Sequence, residues 1–274
     1  MTTKAIGKVG AALSDAPMVV ESVTLKSILQ SQSVKKRFEE VLGKKASGFI
    51  SSILSAVSSN RALALCDPMS VVASGAVAAS LDLPINSSLG FAHIVPYSGV
   101  AQFQMGWKGF VQLGMRSGKY ETMNAATVYE GELKRHDNFT GEMEFDEAGK
   151  KSNKIIGYLF YFRLLNGYRK FFYMTHEQME IHARRYSKLY SSGKGRWVDD
   201  FESMALKTVV KLGLSKWGIL SIEMQKSIDF DQAKVTKDEK PEYIDTPDFQ
   251  SEEISEKQET VSPKEDRNIA SDCQ

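Results

Sequence analysis

The most informative pattern of apolar and polar positions lies between Leu83 and Lys119, where it predicts two short strands followed by a helix. The predicted elements are a strand over Phe91 to Pro96, a turn over Tyr97 to Gly99, a second strand over Val100 to Met105 and a helix from about Trp107 to about Gly118. Since only the turn separates the two strands, they are expected to form a β-hairpin that leads directly into the helix.

The second strand of this hairpin has two chemically different faces. Ala101, Phe103 and Met105 alternate with Gln102 and Gln104, and alternate residues of a strand point to opposite faces. The whole stretch from 83 to 119 contains no Asp or Glu. Uncharged polar side chains without neighbouring carboxylates suit a surface that lies along a nucleic-acid strand, although an ordinary solvated hairpin face has the same pattern.

Helical patterns precede the hairpin. The predicted helices run from Thr24 to Gln30, from Ser33 onward, from about Gly48 to Val57 and from Asp67 to Leu81. The last of these opens with an Asp67 cap and with Pro68 at the first helical position. It is rich in Ala, Ser and Gly, so it can pack closely against either a neighbouring helix or another subunit.

Strands and helices also follow the hairpin. The predicted elements are strands over Tyr120 to Glu130, Ile155 to Leu164 and Tyr168 to Met174, and helices from Thr175 to about Leu189 and from Asp199 to about Lys216. Residues 131–154 form a charged excursion with hairpin character. Asn166-Gly167 predicts a tight turn between two strands because this pair tolerates a positive φ.

The net charge of +1 conceals an uneven distribution along the chain. Residues 229–274 contain fourteen acidic and six basic residues, whereas residues 1–228 contain twenty acidic and twenty-nine basic ones. We therefore expect a mobile arm over 1–22, a folded core over 23–228 and an acidic, disordered tail over 229–274. A basic core suggests a polyanionic partner, and the tail is then a solubiliser, a docking peptide or a competitor for the basic surface.

The composition indicates a soluble protein inside a cell. The two cysteines, Cys66 and Cys273, are too few and too far apart for a disulfide framework, which fits a reducing cytosol. The longest weakly polar run, Val71 to Leu83, is too short to span a membrane. The first twenty residues lack the continuous apolar segment of a secretory signal.

Cations and aromatic residues supply the first candidate chemistry, the binding of phosphate groups and the stacking of bases. The candidates are Trp107, Lys108, Arg116, Lys119, Arg184, Arg185, Lys188, Lys194, Arg196, Trp197, Lys207, Lys211 and Lys216. Lys207 and Lys211 are four residues apart and share a helix face. Asn86, Gln102 and Gln104 are further candidates for contacts with DNA. The alternative is that the cations form a solvated face and that the tryptophans anchor the core or a loop.

Conventional catalysis has little support in the sequence. His176 and His182 lie on different faces of a helix, and no cysteine is near them, which disfavours zinc. The segment from Gly114 to Lys119 is one residue too short for a phosphate-binding loop. An alternative function is a Mg²⁺-dependent nuclease, in which three alternating carboxylates would hold the metal ion. These are Glu142, Glu144 and Asp146. A solvated hairpin edge explains them more simply.

Two separate blocks of sequence form a recognisable pattern. The first reads Leu83-Pro-Ile-Asn, Leu89-Gly, Val95-Pro-Tyr and Gln102-Phe-Gln-Met-Gly-Trp-Lys-Gly. The second contains Trp197, Asp199, Phe201 and the run Met204-Ala-x-Lys207-Thr. In order and spacing the two blocks resemble the RecT family of phage single-strand annealing recombinases, and the resemblance covers roughly residues 25–225.

The resemblance implies a protein that binds single-stranded DNA, forms a homo-oligomer along it and pairs complementary strands without ATP. It implies an α+β fold, in which a small antiparallel sheet and a β-hairpin pack against helices and the N-terminal part is helical. It implies no required cofactor, with Mg²⁺ only as a counterion of DNA. The partners would be single-stranded DNA, the annealed duplex intermediate, a phage exonuclease and a host single-strand-binding protein, all in the bacterial cytoplasm. A passive single-strand-binding protein is a further alternative.

One spatial expectation joins these residues. If the chain anneals DNA, cations from the hairpin, from the loop near residue 195 and from the last long helix must converge into one groove that holds two phosphate backbones. Among them, we expect Lys108, Arg196, Lys207 and Lys211 to contribute most. Contacts to the backbones would leave the pairing edges of the bases free.

Overall fold

The structure, a computed structural model, describes residues 24–86, 88–236 and 240–243. Its N-terminal part is helical, as predicted. The helices are α1 (Leu25–Gln30), α2 (Gln32–Leu42), α3 (Ala46–Ser58), α4 (Arg61–Ala64) and α5 (Pro68–Ser80). The predicted arm over residues 1–22 lies outside the described residues.

Helix α5 begins as its sequence predicts and packs into the core. The carboxylate of Asp67 accepts hydrogen bonds from the backbone N–H groups of Met69 and Ser70, with Pro68 at the first helical position. The small residues of α5 have a structural reason: a Cβ at Gly75 would lie 2.6 Å from the side chain of Ile53 in α3. One side of α5 therefore packs closely against a neighbouring helix in the core. This is the first of the two alternatives that its small residues allowed.

The hairpin and the helix after it form where predicted, as β1 (Ala92–Tyr97), β2 (Val100–Met105) and α6 (Trp107–Arg116). Ser98 and Gly99 make the turn with φ values of 47° and 79°. The hairpin is fastened to α5 by two buried hydrogen bonds. Ser74 donates to the carbonyl of Ala101 (3.1 Å), and the N–H of Ala101 donates to Ser70 Oγ (2.8 Å).

Two further antiparallel sheets follow. The strands are β3 (Tyr120–Tyr129), β4 (Leu133–His136), β5 (Met143–Phe145), β6 (Ile155–Leu164) and β7 (Arg169–Thr175). One sheet has the order β3-β6-β7, and β4 and β5 form a separate hairpin. Together with the first hairpin, these sheets confirm the expected antiparallel α+β fold.

The next helices place one long element at the centre of the molecule. They are α7 (His176–Tyr186), α8 (Lys188–Ser191), α9 (Arg196–Asp199) and α10 (Phe201–Trp217). Helix α10 packs against both α6 and the β3-β6-β7 sheet. Its approach to the sheet is close, since a Cβ at Gly213 would lie 2.5 Å from the ring of Phe160.

The folded chain continues beyond the boundary predicted at residue 229. The final elements are α11 (Ile222–Phe230), β8 (Ala233–Val235) and β9 (Pro241–Tyr243). Ala233 pairs with Phe103, so β8 extends the hairpin sheet to the order β1-β2-β8-β9. The sequence did not predict this strand, because it is only three residues long and lies in a highly charged segment. Such a short strand has no clear apolar periodicity. The predicted disorder of residues 244–274 lies outside the described residues.

Among the residues that the structure describes, no helix has both the length and the apolar character needed to cross a membrane.

Candidate nucleic-acid interface

A cleft of about 400 Å³ lies between the first hairpin, the start of α6 and the segment that joins α9 to α10. We call it the cation cleft, and the residues that define it are His93, Gln104, Trp107, Lys108, Arg196 and Lys207. Of the described residues that line it, Asp200 is the only carboxylate. Its side chain already accepts a hydrogen bond from the N–H of Ser203 at the start of α10 (3.2 Å). The cleft therefore has an excess of positive charge.

The start of α6 places Lys108 in the cation cleft. The residue before the helix, Gly106, approaches the loop so closely that a Cβ there would lie 1.9 Å from the carbonyl oxygen of Gly90. Lys108 is exposed, and its ammonium group lies 5.8 Å from the ring centroid of Trp107. The N-terminus of a helix adds a partial positive charge to this end of the cleft.

Arg196 reaches the cation cleft because its neighbour is anchored in the core. Gly195 turns the chain with a φ of 86°, and Trp197 is buried. The ring of Trp197 meets that of Phe201 edge-on at 5.3 Å. The anchor interpretation of Trp197 is therefore the correct one, while the exposed Arg196 side chain remains at the cleft.

Lys207 and Lys211 share a helix face, as predicted, but this face points towards a buried carboxylate. Lys207 Nζ lies 2.7 Å from Asp231 Oδ1 and Lys211 Nζ 3.0 Å from Asp231 Oδ2. The side chain of Lys207 is only 6 % exposed and that of Asp231 fully buried. The expectation of two solvent-facing lysines was wrong for Lys207, because the segment after α11 covers this side of α10.

Burial and charge shift the ionisation of this group in opposite ways. Burial lowers the pKa of Lys207 to about 8, against the opposing effect of the Asp231 carboxylate. Burial alone would raise the pKa of Asp231, but the charges of Lys207 and Lys211 outweigh it and hold that pKa below its ordinary value. Near neutral pH the three groups therefore carry two positive charges and one negative charge.

The glutamines of β2 are buried, contrary to the exposed polar face that the alternation suggested. Gln102 and Gln104 are 6 % and 7 % exposed. Gln104 lines the cation cleft, and its Nε2 lies 3.8 Å from Met204 Sδ in α10. Gln102 Nε2 has no hydrogen-bond partner among the described residues. The prediction failed because both faces of this strand are covered, so its alternation does not separate core from solvent.

His93 lines the cation cleft, although no sequence motif assigned it a role. It pairs with Gln104 across the hairpin. Burial, together with the charges of Arg196 and Lys207, lowers its pKa to about 4. His93 is therefore neutral near pH 7 and offers a hydrogen bond rather than a charge. The pairing of the two predicted strands places His93 beside Gln104, so the sequence could have identified this histidine. No local sequence pattern identifies Asp231 as the partner of the two lysines.

Several predicted DNA contacts have other positions in the structure. Arg116 donates to the carbonyl of Leu81 (2.6 Å) and lies 3.7 Å from Asp82, so it secures the end of α5. Lys119 is exposed in the turn after α6, and Lys216 is exposed near the end of α10, roughly 14 Å along the helix from Lys207.

The remaining predicted contacts do not line the cation cleft. Asn86 forms a turn, in which its Oδ1 accepts the N–H of Ser88 (2.9 Å). Arg184, 3.4 Å from Glu180, is exposed on α7, as is Arg185. Lys188 and Lys194 are exposed in the segment between α7 and α9.

The carboxylates proposed for a nuclease are each paired with a cation. Glu142 lies 3.1 Å from Arg169, Glu144 lies 3.7 Å from Arg135, and Asp146 lies 2.6 Å from Lys134. Within the described ranges, no group of three or more His, Cys, Asp or Glu residues is arranged to hold a metal ion. These carboxylates therefore behave as the charged edge of a hairpin.

The segment from Gly114 to Lys119 is also unsuited to phosphate. It forms the end of α6 and the turn after it, where Gly118 has a φ of 66°. A helix C-terminus carries partial negative charge, which disfavours an anion.

Comparisons with known proteins agree on one family. The sequence model of the RecT family matches residues 47–251, a range that includes the whole cation cleft and Asp231. The chain is 48 % identical to the protein YqaK of Bacillus subtilis (strain 168) over 255 residues, which are 91 % of this chain and 86 % of that protein. It is 29 % identical to the protein RecT of Escherichia coli (strain K12) over 233 residues, 79 % of this chain and 83 % of that protein.

Proposed function

Because this chain belongs to the RecT family, whose members are single-strand annealing recombinases, we propose that it binds single-stranded DNA, oligomerises on it and pairs complementary strands without ATP. The process that it serves is homologous recombination of a phage or prophage. It acts in the bacterial cytoplasm, beside an exonuclease that exposes the single strand and a host single-strand-binding protein. It needs no cofactor, and Mg²⁺ acts only as a counterion of DNA.

The observation that supports this proposal most directly is the cation cleft. Lys108, Arg196 and Lys207 come from three separate segments of the chain and line one depression. Two of these side chains are exposed, and the third lies at the buried wall. Convergence of this kind is the geometry that two phosphate backbones require.

Electrostatics explains how such a cleft promotes pairing. Two complementary strands repel each other through their phosphates, and cations placed between or beneath the backbones reduce that repulsion. Contacts with phosphate and sugar leave the base edges free, so the DNA itself supplies the sequence specificity. Oligomerisation adds the weak contacts of many subunits into stable binding.

The central experiment is an annealing assay without ATP. Two complementary oligonucleotides, one labelled with a donor and one with an acceptor fluorophore, are mixed with the protein at about 0.1 M salt. Pairing faster than in the protein-free reaction is the expected result. Slower pairing would instead identify a passive single-strand-binding protein, and shortened products in the presence of Mg²⁺ would identify a nuclease.

The Lys108→Ala, Arg196→Ala double variant tests whether the cation cleft performs this reaction. With about 1 kcal/mol per lost phosphate contact, we expect roughly 30-fold weaker single-strand binding. The slope of log affinity against log salt should fall by about 1.4. Fluorescence anisotropy over a salt series measures both quantities.

The Lys119→Ala, Lys216→Ala double variant is the matched control, because it removes the same charge from positions outside the cleft. It should retain wild-type affinity within about threefold, since only the net charge changes. Equal losses in the two double variants would mean that general positive charge, and not the cation cleft, holds the DNA.

A further inference from the structure

A second cavity adjoins the cation cleft on the other side of Lys207. Its volume is about 310 Å³, and it shares the side chains of Lys207 and Met204 with the cleft. We call it the aromatic pocket; the lining residues that matter here are His182, Tyr186, Trp197, Lys207, Lys211 and Asp231. This volume is at the lower end for small-molecule sites, which suits a single base rather than a base pair.

One wall of the aromatic pocket is formed by Lys207, Lys211 and Asp231, and it has more hydrogen-bond donors than acceptors. Asp231 accepts hydrogen bonds from Lys211 (3.0 Å) and from the N–H of Met105 (2.9 Å), and its Oδ1 forms an ion pair with Lys207 Nζ at 2.7 Å. Each ammonium group has three N–H donors. Lys211, whose side chain is 26 % exposed, can therefore donate to a ligand in the pocket, whereas Lys207 is buried and contributes its charge. Two positive charges against one negative charge favour an anionic group such as a phosphodiester.

The opposite wall offers an aromatic surface. Tyr186 is 44 % exposed, and its ring lies 4.5 Å from that of His182. Burial, together with the charges of Lys211 and Arg185, lowers the pKa of His182 to about 4, so this ring is neutral. The Arg185 guanidinium lies over the Tyr186 ring at 5.6 Å from its centroid, within the range of a cation–π contact. An exposed ring beside a cationic wall is the arrangement on which single-strand-binding proteins stack bases.

We propose that the aromatic pocket receives one unpaired nucleotide of the bound strand. Its base packs against Tyr186 and His182, and its phosphate contacts Lys211. This inference rests on the proposed function and adds to it a reason for preferring single strands. A base in the pocket no longer stacks on the adjacent bases of its strand. A base within a duplex does stack on them, so the nucleotide must leave the pocket when the strand pairs.

The variant Tyr186→Ala tests the stacking surface. We expect it to bind a single-stranded oligonucleotide on the order of 5- to 100-fold more weakly than the wild type. Its affinity for the preformed duplex should change less than twofold. Tyr186→Phe keeps the ring and should restore wild-type affinity for the single strand. Anisotropy titrations with the full chain measure all of these affinities.

Tyr168→Ala is the matched control. Tyr168 is 43 % exposed and follows the turn between β6 and β7, with its ring 6.0 Å from that of Phe162. Its removal should leave both affinities unchanged. A similar loss with Tyr168→Ala would overturn the inference, as would an unchanged single-strand affinity of Tyr186→Ala or equal losses on the single strand and the duplex.

Oligonucleotides with abasic sites provide a test that does not depend on the folding of a variant. The wild type should bind an abasic strand more weakly than an intact strand of equal length, and equal affinities would overturn the inference. If Tyr186→Ala folds, removing bases should weaken its binding less than it weakens that of the wild type.

A mononucleotide competitor separates the two possible sources of the base. It should displace the strand only at concentrations far above those of an oligonucleotide, and tight mononucleotide binding would make the pocket a site for free nucleotide instead. The proposed function fails separately, if the wild type neither binds single strands nor accelerates pairing.

Discussion

The ammonium group of Lys207 depends on one carboxylate for its place in the interior. Asp231 is buried together with it and also holds Lys211 and the N–H of Met105. A buried ion pair adds little net stability compared with apolar residues, but removal of one partner leaves a charge without compensation. The single side chain of Asp231 therefore controls both Lys207, on the border between the cation cleft and the aromatic pocket, and Lys211, in the aromatic pocket.

The variant Asp231→Asn should destabilise the fold by about 3–5 kcal/mol, because Lys207 and Lys211 would lose the charge that balances them. The measurement is the free energy of unfolding in urea. Glu121→Gln is the control, since the pair of Glu121 with Arg163 (2.6 Å) is nearly half exposed on both sides, and such pairs contribute about 0–1 kcal/mol. A loss below about 1 kcal/mol for Asp231→Asn would show that the lysines find other compensation.

Sequence patterns located residues well where the determining contacts are local. The Asp67 cap and the Ser98-Gly99 turn form as their motifs predict, and Thr175 begins a helix as predicted, with its side chain accepting a hydrogen bond from the N–H of Gln178. Gln102 and Lys207 were misplaced because their burial depends on elements distant in sequence. Lys108 and Arg196 could be predicted as candidate contacts, but their proximity could not.

At the level of elements, β8 joins the first hairpin to the edge strand β9 in the sheet that supports the cation cleft. It is only three residues long and pairs with β2 at Ala233, two residues after the buried Asp231. Predicting it from sequence was difficult, because a three-residue strand has too little periodicity to stand out from a charged segment. The first hairpin, by contrast, carries a turn motif and a regular alternation, so its bounds were nearly correct.

Two truncations test the role of this element. A chain that ends after residue 228 loses Asp231 and β8, and it should unfold at markedly lower temperature or aggregate. A chain that ends after residue 243 keeps every described element and should melt within a few degrees of the full-length protein. Circular dichroism melting curves of the two chains compare them directly, and equal stability would remove β8 and Asp231 from the folded core.

At the level of the whole molecule, charge is divided between the folded part and the C-terminal residues. Residues 244–274 contain nine acidic and three basic residues, so residues 1–243 carry a net charge of +7. The cation cleft and the acidic segment therefore attract each other over distances comparable to the Debye length, about 10 Å at 0.1 M salt. The sequence alone indicated this division, since it requires only a count of charges.

Deletion of residues 244–274 should strengthen single-strand binding at low salt, because it removes a polyanion that competes for the cation cleft. The gain should shrink as the salt concentration rises, since screening weakens both interactions. Anisotropy titrations at about 0.05 M and 0.3 M salt measure the difference. If the full-length and the shortened protein bind with equal affinity at low salt, the segment does not compete for the cation cleft. Its role would then be to solubilise the protein or to dock a partner.

The pairing of Phe103 with Ala233 has a consequence for synthesis in the cell. β2 leaves the ribosome 130 residues before its neighbour β8, which at about 5–20 residues per second is a delay of roughly 7–26 s. Throughout that interval the nascent chain has an open strand edge, the kind of surface on which aggregation begins. Slower growth at low temperature or additional chaperone should therefore improve the yield of native protein.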